Sequence, residues 1–292
     1  MSSYKRTFWE DSPKTEITAE RLNNMEEGIE KLHNNISNPN LLINGDFQVW
    51  QRGEQFHYAS KGLYKYNADM WAIYSADNTE HKCDRVENGL KFWVTNNQNA
   101  LSQILEQKLG VGEDYVLSAM IDGVVHTMPI IGGEYCNSED GRLGYLDYGS
   151  KNERVTINPI GETVVSWVKL EKGKIATPLT PRTYAEELFL CQRYYFILPG
   201  ADFVMYSGKS GILYLPIEQL SRMRGSCTVI HNIGEVSISS DGESSEHAVS
   251  SIHITDWGGE IAIVVAYNTK INRPVCVEYS SDKQIIFDSS IY

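Results

Sequence analysis

Positive charge is in short supply: 26 Lys and Arg stand against 38 Asp and Glu, a formal charge of −12 over 292 residues. Such a field repels phosphate backbones and anionic lipid, which argues against nucleic acid and membrane surfaces as partners. Long apolar runs are also missing. Stretches such as residues 261–267 and 164–168 fall far short of the roughly 20 residues that span a bilayer, so no membrane insertion is expected. No apolar segment or small-residue cleavage site follows the opening Met1-Ser2-Ser3-Tyr4-Lys5-Arg6, and export by a signal peptide is not expected.

Cysteine is sparse and scattered. Cys83, Cys136, Cys191, Cys227 and Cys276 are odd in number and include no C-x-x-C pair, which removes a zinc ribbon and a dithiol redox motif from consideration. Reduced, mostly buried thiols are expected, in a chain folded in a reducing cytoplasm. The sequence also lacks a G-x-S-x-G elbow, an H-E-x-x-H helix, a phosphate-binding G-x-x-x-x-G-K-[ST] loop and a strand-linked G-x-G-x-x-G. Its seven histidines are dispersed, and His253, in the alternating Ser251-Ile252-His253-Ile254, reads as the polar face of a strand. Neither a metal nor a cofactor is expected. Of the carboxylate pairs, Glu186-Glu187 reads as the acidic first turn of a helix, and Glu139-Asp140-Gly141 as a turn.

What is present is mostly β patterning. Helix is concentrated near the front, where Leu22, Met25, Ile29, Leu32 and Ile36 recur in alternating steps of three and four after a Thr18 N-cap, with Pro39 as the stop. This seam suggests self-association as a short coiled coil, with one amphipathic helix docked on its own domain as the alternative. Two heptads with Gly28 inside them are too short to associate alone. From residue 41 to about 183, short apolar alternations broken by turn residues indicate a sandwich or barrel. Strands are expected on either side of Asn88-Gly89 and near residues 115–121, 154–157 and 164–170. Pro178 and Pro181 mark a boundary. A short helix at 184–195 then opens a second β unit, with strands near 211–215, 227–230, 250–255, 260–267 and 275–279.

The residues then become recognisable. Asn40-Leu41-Leu42-Ile43-Asn44-Gly45-Asp46-Phe47-Gln48-Val49-Trp50-Gln51-Arg52-Gly53, followed by Tyr66-Asn67-Ala68-Asp69-Met70-Trp71, resembles the opening of carbohydrate-binding-module-like jelly-roll domains in phage tail fibres. Val164-Val165-Ser166-Trp167-Val168-Lys169-Leu170-Glu171-Lys172-Gly173 and Ala176-Thr177-Pro178 resemble its closing signature. Glu186 to Tyr195 and Met223-Arg224 resemble the start of the C-terminal domain of the same fibres, and Tyr4 to Asp11 with Thr15 to Ile29 is similar to tail proteins of phages infecting Gram-positive bacteria.

The resemblance implies a mainly β chain in three parts: an attachment segment and helix (1–39), a jelly-roll sandwich (40–183) and a C-terminal receptor-binding β domain (184–292). It implies a homotrimeric receptor-binding protein in the tail of a phage or phage-tail-like bacteriocin. Such a protein joins a baseplate or tail through its N-terminus and attaches, without catalysis, to a host cell-wall glycan. Competing readings are a tail-borne glycan depolymerase or esterase, and a structural baseplate or spacer protein. The family's usual Arg before the second Trp is replaced by Met70, so Asp69 needs another partner, for which Arg52 is the candidate. Trp50 and Trp71, on strand-like stretches, are expected to fill the core.

Glycan contact is expected instead from aromatics at turns. Trp257, in Asp256-Trp257-Gly258-Gly259, is the first candidate, with packing against a neighbouring protomer as the other use of the ring. Tyr135, Tyr145 and Tyr148 form a second group.

Overall fold

The computed structural model describes residues 18–35, 37–59, 64–74, 80–94, 100–147 and 153–198, and the strand segments 203–206, 212–216, 228–230, 236–240, 247–257, 260–267, 274–279 and 285–288. Among these residues the chain is mainly β, built of antiparallel sheets with few helices.

Helix α1 (Ala19–Asn35) begins where Thr18 Oγ1 accepts the backbone N–H of Arg21 at 3.3 Å, the capping role its position predicts. Leu22, Met25 and Ile29 are 48%, 38% and 57% exposed, so the chain itself does not bury this part of the seam. The side chain of Leu32 and all of Ile36 lie outside the described residues.

Twelve strands follow: β1 (Gln55–Ala59), β2 (Tyr64–Tyr66), β3 (Ala72–Tyr74), β4 (Glu80–Val86), β5 (Gly89–Val94), β6 (Ala100–Ile104), β7 (Tyr115–Ile121), β8 (Val124–Ile130), β9 (Cys136–Asn137), β10 (Leu143–Asp147), β11 (Glu153–Ile157) and β12 (Thr163–Lys172). They form two six-stranded sheets, ordered β1-β4-β5-β12-β7-β8 and β2-β3-β6-β11-β10-β9. Period-2 alternation gives each sheet one apolar face. Leu90, Phe92, Leu117 and Val165 of the first meet Ile73, Leu101, Tyr145 and Val155 of the second in a single core.

The Asn88-Gly89 hairpin forms one residue out of the expected register. The turn residues are Glu87 and Asn88, while Gly89 already pairs with Val86 at φ +132°. A Cβ on Gly89 would meet Val165 O at 2.2 Å, so close packing of β5 on β12, as well as the turn, demands glycine there.

After β12, helix α2 (Tyr184–Cys191) begins with a capping box in which the Thr183 N–H donates to Glu186 Oε2 at 2.9 Å. Cys191 and Tyr194 pack against Ile43, Val49 and Met70, so this helix is seated on the loops of the sandwich. The chain continues through β13 (Tyr195–Leu198), β14 (Phe203–Tyr206), β15 (Ile212–Pro216), β16 (Thr228–Ile230), β17 (Val236–Ser240), β18 (His247–Trp257), β19 (Glu260–Tyr267), β20 (Pro274–Tyr279) and β21 (Ile285–Asp288). These strands form a three-stranded sheet, β13-β21-β16, and a six-stranded one, β14-β20-β17-β18-β19-β15.

Candidate functional site

The residues of the opening signature build a joint. Trp50 and Trp71 are 8% and 0% exposed, as expected of core fillers, but neither lies on a strand. Their segments are fixed by side chain to backbone bonds instead of a ladder. Asn44 Nδ2 donates to Val49 O and Asp69 O, both at 2.9 Å, and Asn44 Oδ1 accepts the Val49 N–H at 2.9 Å. The Trp71 indole N–H donates to Asn44 O at 2.8 Å. Asn44, Phe47 and Met70 hold φ values of +53°, +57° and +71°, strain that this buried network sustains.

Asp69 does pair with Arg52, at 2.9 Å, and also accepts the Gln51 N–H at 2.6 Å. Burial pushes its carboxyl up to about 6, and Arg52 and Gln51 only partly offset this. The Arg52 guanidinium lies 3.7 Å from the centre of the Tyr195 ring and 3.3 Å from Asp288, so the joint reaches the last strand, β21. Glu187, on α2, accepts the Asn44 N–H at 2.8 Å and a bond from Arg182 at 2.7 Å.

The closing signature is an anchor. Lys169, fully buried on β12, donates to Thr177 Oγ1 at 2.7 Å, to Pro178 O at 3.0 Å and to Ser37 Oγ at 3.2 Å. Glu171, equally buried, accepts the Thr177 N–H at 2.7 Å. Both chain segments that flank the sandwich are thereby held to its outer face. The buried polar groups of both signatures thus serve packing.

Of the aromatics expected to contact glycan, Tyr145 is 1% exposed and faces the core with its hydroxyl on Glu153, which removes it from any binding surface. It belongs to the inward set of β10, a strand hidden from sequence reading by the Gly- and Asp-rich segment around it. Tyr135 is 48% exposed, its ring 5.1 Å from that of Tyr145 and its hydroxyl 3.3 Å from Glu153. Desolvation and the carboxylates of Glu153 and Asp147 push that hydroxyl up to about 12. Tyr148 lies outside the described residues. Asp256 and Trp257 are not turn residues: they are the last two paired positions of β18, opposite Ile261 and Glu260. Their side chains are outside the described residues.

A residue the sequence reading passed over is better placed. Trp93 lies on the outward face of β5, between the inward Phe92 and Val94, and is only partly buried. Register puts Lys82 opposite it on β4, and Asp84 opposite Lys91 two residues along. On the other side Val164 of β12 pairs with Lys91, which brings Glu162 within 3.5 Å of the Lys91 ammonium. These side chains line an open depression of about 220 Å³. An apolar ring beside donors and acceptors of both signs matches the mixed faces of a sugar. The signal was present in the alternation Leu90-Lys91-Phe92-Trp93-Val94, which places Trp93 on the face opposite the core.

Other polar clusters have different geometry. Ser138 Oγ donates to Asp140 Oδ1 at 2.6 Å, and His126 Nδ1 lies 2.6 Å from Asp140 Oδ2. The carboxylate therefore stands between serine and histidine, whereas a hydrolytic triad needs histidine between the other two. The buried thiols of Cys83 and Cys191 are pushed above their ordinary range by desolvation, which disfavours the reactive thiolate. Among the described residues no three His, Cys, Asp or Glu gather as a metal-binding group, and no helix is long and apolar enough to cross a membrane.

No family model, no curated protein and no solved structure matches this chain.

Proposed function

We propose that the chain is a receptor-binding protein of a phage or phage-tail-like particle that attaches, without catalysis, to a glycan on the host cell surface. In this reading residues 40–183 are a carbohydrate-binding-module-like jelly roll and residues 184–292 a second β domain. The N-terminal segment joins the particle, and three chains assemble together. The observation that carries the reading is the Trp93 depression: an outward indole on a strand face, flanked by Lys82, Asp84, Lys91 and Glu162. The sequence resemblance at residues 40–53, 66–71 and 164–178 supports the assignment to tail proteins, and the exposed Leu22, Met25 and Ile29 support assembly with other copies. Trp257 remains the candidate contact in the C-terminal part.

The test is adhesion of the purified full chain to cell walls from a panel of Gram-positive bacteria, with Trp93→Ala alongside. Binding to one or more walls that falls at least tenfold in the variant, at unchanged melting temperature, is the expected result. Steady release of reducing sugar or acetate from the bound wall would favour a depolymerase or esterase. Failure to bind any wall would favour a spacer protein.

A further inference from the structure

We infer that the Trp93 depression takes one uncharged sugar ring at a time and discriminates against acidic glycans; this rests on the glycan-binding reading above. The charged lining is balanced in sign, with Lys82 and Lys91 against Asp84 and Glu162. Lys91 is already engaged by Glu162 at 3.5 Å, and the remaining Lys82 is balanced by Asp84, so the lining offers no net positive charge to an anionic ligand. A uronate or a phosphodiester seated on the indole would find as many carboxylates as ammonium groups around it, no net local attraction to offset the −12 that the chain carries overall. Sugar hydroxyls meet no such penalty. They donate to the carboxylates and accept from the ammonium groups, and the apolar face of the ring covers the indole.

Size sets the second half of the inference. At about 220 Å³ and open to solvent, the depression is smaller than the roughly 300 Å³ at which pockets for drug-sized ligands begin. It has room for a single ring over one aromatic face. One ring on one indole binds weakly, so firm attachment must come from several copies engaging a repetitive surface at once.

The experiment is saturation-transfer NMR on the full chain with glucose, galactose, rhamnose, N-acetylglucosamine and N-acetylgalactosamine, and with glucuronate and glycerol 1-phosphate as acidic probes. Each is titrated at low and at physiological salt, and competed against cell-wall adhesion. At least one neutral sugar is expected to bind in the millimolar range without salt dependence and to compete. Both acidic probes should bind at least tenfold more weakly, and gain several-fold in the Asp84→Asn/Glu162→Gln double variant. The neutral signal should vanish in Trp93→Ala and persist in Trp93→Phe, which keeps an aromatic face.

Tighter binding of glucuronate or glycerol phosphate than of every neutral sugar would overturn the inference and leave the glycan reading standing. So would Trp93-dependent adhesion that none of the neutral sugars competes. Adhesion unchanged in a folded Trp93→Ala variant would remove the glycan reading of this site, and the inference with it.

Discussion

Lys169 Nζ lies 3.2 Å from Glu171 Oε2, with the two side chains 1% and 0% exposed. They are two residues apart on the same face of β12, where the segments around Ser37 and Thr177 seal them from water. Removing one partner of a buried ion pair strands the other charge, at a cost of about 3 to 5 kcal/mol. Lys169→Met should therefore lower unfolding free energy in chemical denaturation by that amount. The Lys169→Met/Glu171→Gln double variant should lose distinctly less. A Lys169→Met variant as stable as the parent would show that the anchor does not hold the sandwich together.

Asp69 should make stability respond to mild acid in an uncommon direction. Its carboxyl is raised to about 6 in the folded chain, against 3.8 for a free aspartate. Between those values the folded state binds the extra proton, so this contribution is fully present below pH 3.8 and is lost as pH rises through about 6. Each pH unit inside the window is worth at most about 1.4 kcal/mol. Relative to Asp69→Asn, the parent should gain stability as pH is lowered from 7 to 5. A constant difference between the two melting temperatures across that range would refute the assignment.

Trp93 and Trp71 should separate binding from folding. Trp71, without exposure and bonded to Asn44 O at 2.8 Å, should cost about 3 to 5 kcal/mol of stability when changed to Ala. Trp93→Ala should cost adhesion, with a loss of roughly 1 to 3 kcal/mol per site typical of an interface anchor. Thermal unfolding and wall binding measured on the same preparations decide between them.

Deletion of residues 1–36 should leave an oligomer. The seam of α1 is only two heptads long, so contacts between the β domains are expected to carry most of the association. Light scattering on the truncated chain would show otherwise if it became a monomer. For the full chain, a mass of 33.0 kDa at every concentration would end the trimer proposal.

Strands β7 and β19 were legible to the residue, because β-rich apolar runs between clear turns leave little freedom of phase. Short strands such as β2, β3 and β9 were not, since two or three residues carry no period of their own. The anchor at Lys169 was beyond reach for a different reason. A lysine in a sequence reads as solvent-facing, and besides Glu171 and the Thr177 hydroxyl this one is satisfied by Ser37, 132 positions earlier, and by backbone carbonyls that carry no residue signature. Arg52 and Asp69 were foreseen as a pair because their neighbours resembled a known pattern, but their reach to Asp288 depends on a strand 236 positions away from Arg52. Tyr145 was expected at a surface turn and lies in the core, while Trp93 was given no role: both placements follow from alternation within β10 and β5.

The antiparallel pairing of β13 with β21 has an architectural consequence. Leu198, where the chain leaves this pair, stands directly opposite Ile285, where it returns. The residues between them leave and return at one rung of the ladder, and β16, from among them, adds the third strand of the same sheet by pairing with β21. The sheet is thus completed by the segment it launches: Tyr195 and Asp288 meet Arg52 from β13 and β21, while Thr228 of β16 stands opposite Asp288 on the other side. A chain cut short anywhere between Leu198 and Ile285 lacks β21, and with it the Asp288 carboxylate at Arg52, so the joint closes only once the last strand has been made.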